Sequence, residues 1–157
     1  MVDPAQLVVF RLDAQRYALA LAMVERIVRA VAVTPLPKAP AIVLGVIDVA
    51  GSVLPVLNLR RRFGLPERKI DVASLFLIAR TSRRTVVLVV DEAQEVTARA
   101  DAAIIDSAQI VPGLKHVSGV VKLSDGLVLI HDLEKFLSLD EAHALDEAMN
   151  HEVAHEC

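Results

Sequence analysis

Cysteine is almost missing from this 157-residue chain. The one copy, Cys157, is the last residue and has no intrachain partner, so no disulfide framework holds the fold and a reducing compartment is expected. Tryptophan is absent, and four Phe and one Tyr are the only aromatic residues. The core must therefore come from Val, Leu, Ile and Ala, whose β-branched members favour strands. The same scarcity removes the stacking platform that single-strand nucleic-acid binders use, which argues against a nucleic-acid partner for the basic run Arg60-Arg61-Arg62. Mean hydropathy is +0.49, yet no window approaches the roughly 18 consecutive apolar residues of a membrane span. The start, Met1-Val2-Asp3-Pro4, lacks a cationic flank and an apolar signal core. A soluble, cytoplasmic protein without direct membrane insertion is the expectation.

Catalytic constellations are also scarce. No phosphate-cradling G-x-x-x-x-G-K-[ST] or G-x-G-x-x-G occurs, and no G-x-S-x-G elbow. One motif does match. His151-Glu152-Val153-Ala154-His155 reads H-E-x-x-H, which on a helix places two imidazoles on one face for Zn²⁺ and a Glu beside the water, and so raises a zinc-dependent hydrolase as the rival class. Such a site needs a third ligand, and only Glu156 and Cys157 follow. The expectation is a solvated helix end, no cofactor and no enzyme, with His151 and His155 as weak metal candidates. His116 and His131 are single histidines beside strand runs, read as structural.

What is present is a succession of short apolar runs. Leu7 to Leu12 and Arg16 to Leu21 are strand-like and joined by Asp13-Ala14-Gln15. Met23 to Val31 places Val24, Ile27, Val28 and Val31 at helical spacing, which suits a short helix, with continued strand as the second option. Three prolines make Thr34 to Pro40 an extended connection. It leads to Gly45 to Pro66, where Val46 to Val49 and Val53 to Leu57 reverse at Ala50-Gly51-Ser52; Pro55 marks the second strand as an edge or a bulge. Val72 to Arg80 and Thr85 to Asp91 form another hairpin, Val96 to Ala103 reads as a turn region, and Ile104 to Val111 as a short extended piece. Val117 to Leu123 and Leu127 to Asp132 reverse at Ser124-Asp125-Gly126. The last stretch is helical from about Leu133, with Ser138-x-x-Glu141 in capping-box form and Ala142, Leu145, Met149 and Val153 on one stripe.

Charge is segregated. Residues 1–90 hold 13 Lys/Arg against 6 Asp/Glu, a balance of +7, and residues 91–157 hold 4 against 14, a balance of −10, recovering the formal net charge of −3. Fields of opposite sign steer partners together, so homo-association through the oppositely charged halves is one expectation, and a solvated acidic helix the other.

Taken together, the order of features resembles the CheW family of chemotaxis coupling proteins from about Leu7 to Leu139. The residues carrying the resemblance are V-V-F-R-L (Val8 to Leu12), R-Y-A-L (Arg16 to Leu19), M-V-E-R-I-V-R (Met23 to Arg29), T-P-L-P and a further proline (Thr34 to Pro40), the stretch from Gly45 to Pro66, V-V-L-V-V-D-E (Val86 to Glu92), and Ser118 to Leu137. The resemblance implies a mainly β fold of two small SH3-like barrels packed together in one domain. The approximate sub-barrels are 7–66 and 70–131, followed by a C-terminal helix over 132–155. It implies a non-catalytic scaffold that bridges the cytoplasmic tips of chemoreceptors to the regulatory domain of a CheA-type histidine kinase. By matching position, Leu21, Val24 and Ile27 with Asp48, Ala50 and Gly51 lie toward the receptor, and Val90 and Asp91 toward the kinase. One departure stands out. The family's hairpin reads N-[LVI]-R-G where this chain has Asp48-Val49-Ala50-Gly51, and an alanine cannot make the directed hydrogen bonds of a guanidinium. That substitution points to a divergent coupler, including one serving an accessory chemosensory or pilus and surface-motility pathway.

Overall fold

A computed structural model describes residues 5–98, 104–106, 117–123, 126–131 and 133–155, with side chains described over 6–94, 128–131 and 133–150. Eleven strands among these residues form two sheets. In chain order they are β1 (Ala5–Leu12), β2 (Gln15–Ala20), β3 (Val24–Arg29), β4 (Val43–Val49), β5 (Ser52–Leu57), β6 (Leu75–Arg80), β7 (Thr85–Val90), β8 (Glu92–Ala98), β9 (Ile104–Asp106), β10 (Val117–Leu123) and β11 (Gly126–His131). A one-turn helix α1 (Leu59–Arg62) follows β5, and α2 (Leu139–His155) ends the described chain. One sheet has the order β8-β1-β2-β11-β10-β9 and the other β3-β6-β7-β5-β4.

The expected division near residues 66–70 does not follow these sheets. The first hairpin, β1–β2, belongs with β8 to β11, while β3 to β7 make the other sheet. The reason lies in pairing: β1 runs antiparallel to β8 (Leu7 opposite Val96, Arg11 opposite Glu92) and β2 parallel to β11 (Tyr17 opposite Leu129). The two termini of the chain thus build one barrel around the middle segment that builds the other.

β6 and β7 explain why their sequences are continuously apolar. Leu77, Ala79, Val86, Leu88 and Val90 face the main core shared with Phe10, Tyr17, Leu19 and with Leu145, Ala148 and Met149 of α2. Phe76, Ile78 and Val87 face a second core with Ile47 and Val56. A strand buried on both faces has no polar positions to alternate with. Each fully buried aliphatic side chain contributes about 1.5–3 kcal/mol relative to exposure, so these two strands anchor the fold.

Three further expectations change. The Met23 to Val31 segment takes the second of its two options: it is strand β3 over Val24–Arg29, preceded by a one-turn 3-10 helix, Leu21–Met23. Its helix-like spacing comes from a bulge: Val24 pairs with Ala79 and Arg26 with Ile78, so Glu25 is an extra residue that puts Val24 and Ile27 on one face at i, i+3. Val96 to Ala98 are strand and not turn, since β-branched Val96 and Thr97 suit the ladder that the open side of β1 offers. α2 begins at Leu139 after a separate 3-10 turn, Leu133–Lys135. There Ser138 Oγ accepts from the Glu141 amide (3.1 Å) while Glu141 Oε1 accepts from the Ser138 amide (2.9 Å), the reciprocal capping box read from the sequence. Pro55 sits in a strand that is internal by order, yet β7 pairs only with Val56 and Leu57, so no ladder to β7 has begun at Pro55.

Candidate interaction surfaces

Strands β4 and β5 meet in a two-residue turn. Ala50 and Gly51 both have positive φ (50° and 89°), the backbone of the hairpin turn whose twist matches its strands. Asp48 Oδ1 accepts a hydrogen bond from the Gly51 amide at 2.9 Å and closes the turn. Asp48, Ala50 and Gly51 are all exposed, and a Cβ added at Gly51 would meet nothing within 4 Å, so the tip projects into solvent. The base of the hairpin is crowded instead. Thr34 bridges Val46 through paired backbone hydrogen bonds of 2.8 and 2.9 Å, and a Cβ on Gly45 would lie 2.2 Å from the Thr34 carbonyl oxygen. Gly45 is therefore required by close approach, and the residue beside it, Leu44, lies in the register shift between Val43 and Gly45 and is exposed.

The other receptor-facing candidates lie on a separate part of the same sheet. Leu21 and Val24 are half-buried against the main core, while Ile27 on β3 is 36% exposed, so simple core burial does not describe it. β3 and β4 end the sheet order on opposite sides, with residues 30–34 leading from one to the bridge on the other. The candidates thus form two groups, a β3 group and a hairpin tip.

The kinase-facing candidates are placed differently again. Val90 is fully buried. The Asp91 carboxylate is 10% exposed and held by Arg60 Nη2 (2.8 Å), by the Asp13 amide (2.7 Å) and by Arg68 (3.4 Å). It sits where the chain passes from β7 in one sheet to β8 in the other, and it lines a groove of 680 Å³ with Arg60, Arg68, Lys69, Ile70 and Leu44. Neither residue offers a free side chain to a partner.

Arg60 is the buried member of the basic run. Asn58 caps α1 by accepting from the Arg61 amide (3.0 Å), and the turn this starts aims Arg60 inward. Its guanidinium is 9% exposed and binds both oxygens of Asp13 (2.9 and 3.0 Å), Asp91, and the Pro66 carbonyl (3.2 Å). The hydrogen bond with Asp13, followed by those with Asp91, raises the Arg60 pKa, and Arg60 in turn lowers that of Asp13. Arg61 pairs with Glu67 (3.0 Å), whose carboxyl is lowered first by the Asn58 side-chain amide and then by Arg61. Arg62 pairs with Glu141 and stacks 5.4 Å over Phe136. All three arginines of the run thus have partners within the chain, Arg60 buried and Arg61 at the surface.

The segregated charges meet the same way. Arg62 with Glu141, Arg84 with Asp146, and Arg60 with Asp91 join the basic and acidic halves within one chain, so complementary charge does not by itself require a second copy. Around this junction Phe10, Tyr17, Phe63, His131 and Phe136 form a continuous array of ring contacts with centroids 4.6–5.7 Å apart, which gathers four of the five aromatic residues. The backbone of α2 runs through His151 and His155, whose side chains lie outside the described residues. Among the described residues no helix is long and apolar enough to cross a membrane.

Comparison with known proteins agrees with this architecture. The family model for the CheW-like domain matches residues 6–141. The chain is 27% identical over 146 residues to the chemotaxis protein CheW of Treponema pallidum, covering 89% of this chain and 86% of the relative. It is also 27% identical over 141 residues to CheW of Rhizobium meliloti, covering 88% and 91%. Among solved structures it resembles the scaffolding protein TtCheW from Thermoanaerobacter tengcongensis with a TM-score of 0.79 and 26% identity, over 88% of this chain and 95% of that one.

Proposed function

The chain belongs to the CheW family, and on that premise we propose that it is a non-catalytic cytoplasmic adaptor that couples the tips of chemoreceptors to a CheA-type histidine kinase. The observation that carries this reading is the family match over residues 6–141, which takes in both sheets and the junction between them. Two partners need two surfaces held in fixed relation, and the Arg60, Asp13 and Asp91 cluster supplies that rigidity. Moderate contacts repeated across an array give a stable assembly through effective concentration, without any reactive group.

In this reading the receptor contacts the β3 group and the β4–β5 tip, where Ile27, Asp48, Ala50 and Gly51 are exposed. The kinase contact assigned by position to Val90 and Asp91 is indirect: these residues hold the sheet junction, and the surface around it makes the contact. The alanine at the hairpin tip favours a coupler with altered receptor affinity, as in an accessory chemosensory or surface-motility pathway. Co-precipitation with a receptor-tip fragment and with the kinase regulatory domain tests the proposal. Binding to both supports it, and binding to neither overturns it.

A further inference from the structure

Strand β3 carries a self-complementary edge. It ends the five-stranded sheet and pairs only with β6 among the described residues. The Ala30 amide donates to the Ser74 carbonyl (3.1 Å), beyond the Arg29–Leu75 pair. Antiparallel ladders alternate, so the amides and carbonyls of Val28 and Arg26 point to β6, and those of Ile27 and Arg29 point away from it to the open edge. An open row of backbone groups is a template for a further strand.

The side chains of this edge state which strand fits. Its sequence is Val24-Glu25-Arg26-Ile27-Val28-Arg29, with Glu25, Arg26, Ile27 and Arg29 exposed. Neither Glu25 nor Arg29 has an ion-pair partner among the described residues. We propose that β3 pairs antiparallel with β3 of a second copy about a twofold axis through Ile27. In that register Ile27 opposes Ile27, and the bulged Glu25 of each copy comes beside the Arg29 of the other, giving an apolar centre flanked by two opposite charges on each side. A twofold centred on Arg29 or on Arg26 would set arginine against arginine, and one centred on Val28 would bring no opposite charges together, so the charges favour the Ile27 register. The interface is isologous and closes at two copies.

This pairing covers Ile27, which the adaptor reading assigns to the receptor. Resting on that reading, self-pairing is a storage form that receptor binding must open, and free adaptor concentration then sets how much is available to receptors.

The test is sedimentation equilibrium of the full chain from micromolar to near-millimolar concentration, with Arg29→Glu and the swap Glu25→Arg with Arg29→Glu. Arg29→Glu is expected to weaken the dimer by roughly tenfold, and the swap to restore it to within about threefold, because it re-forms both pairs with reversed polarity. Circular dichroism checks that each variant is folded, which exposed positions favour. A wild type that stays monomeric throughout overturns the proposal, as does a dimer indifferent to Arg29→Glu or not rescued by the swap. Titrating a receptor-tip fragment into the same samples separates the two readings. Self-association that follows the charge rule without receptor binding refutes the adaptor reading alone, and receptor binding by a chain with no charge-dependent dimer refutes the pairing alone.

Discussion

Arg60 Nη2 lies 2.8 Å from Asp91 Oδ2, and this pair fastens the helical turn after the β4–β5 hairpin to the point where the chain leaves one sheet for the other. Both side chains are about nine-tenths buried, so removing either would leave the other's polar atoms short of a partner. Breaking a buried pair by removing one partner is far more costly than replacing both with apolar residues. Arg60→Met should therefore lower stability by about 3 kcal/mol in urea unfolding. A loss no larger than that of Arg61→Met, whose partner is exposed, would show that the junction does not rest on this cluster.

Acid should loosen the fold from the same region. Asp13 is held below the ordinary carboxylate range by Arg60, and Glu67 by Asn58 and Arg61. For Glu141, burial opposes ionisation, but Arg62 and Ser138 outweigh it and the net shift is also downward. A carboxyl whose folded pKa is depressed stabilises at all pH above its unfolded value and ceases to as pH falls through the folded value. The melting temperature should stay level from neutrality to the ordinary glutamate value of 4.5 and fall below it. Glu141→Gln should make that fall shallower. A melting temperature that rises on acidification would contradict the assignment.

Gly45→Ala tests the base of the hairpin. The new methyl would sit 2.2 Å from the Thr34 carbonyl oxygen, a backbone atom that can move only by breaking its bridge to Val46. A loss of about 2 kcal/mol is expected, together with faster amide exchange at Thr34 and Val46. Unchanged exchange at both would mean the bridge is not what excludes a side chain there.

Ala50 separates stability from binding at the tip. Its φ of 50° is strained for a residue with a Cβ, so Ala50→Gly should stabilise by about 1 kcal/mol. Ala50→Arg restores the arginine of the family's hairpin and should raise affinity for a receptor fragment while leaving kinase binding unchanged, since the kinase surface is assigned elsewhere. Calorimetry against each partner decides it. Equal effects on both partners would show that the tip is not a receptor-specific surface.

Much of the fold was legible in the sequence, and the failures have physical causes. The runs Leu75 to Ala79 and Thr85 to Val90 read correctly because doubly buried strands have no competing pattern, and Ser138 with Glu141 read correctly because a capping box is local. β3 misled because one bulged residue, Glu25, turned an alternating pattern into helical spacing. The barrel boundary was hidden because β1 pairs with β8, a contact no local signal announces. Arg60 looked like part of a solvated basic run, since its partners Asp91 and Asp13 are 31 and 47 residues away. The tip at Ala50 and Gly51 was legible as a hairpin from its glycine. Val90 and Asp91 were marked by resemblance alone, and their burial depended on tertiary packing.

Coupling itself is tested most directly by a three-component pull-down, in which an immobilised kinase regulatory domain captures a receptor-tip fragment only when this chain is added. The receptor fragment should be retained in proportion to added chain. Capture that is the same without it, or a chain that binds one partner and excludes the other, would contradict an adaptor role.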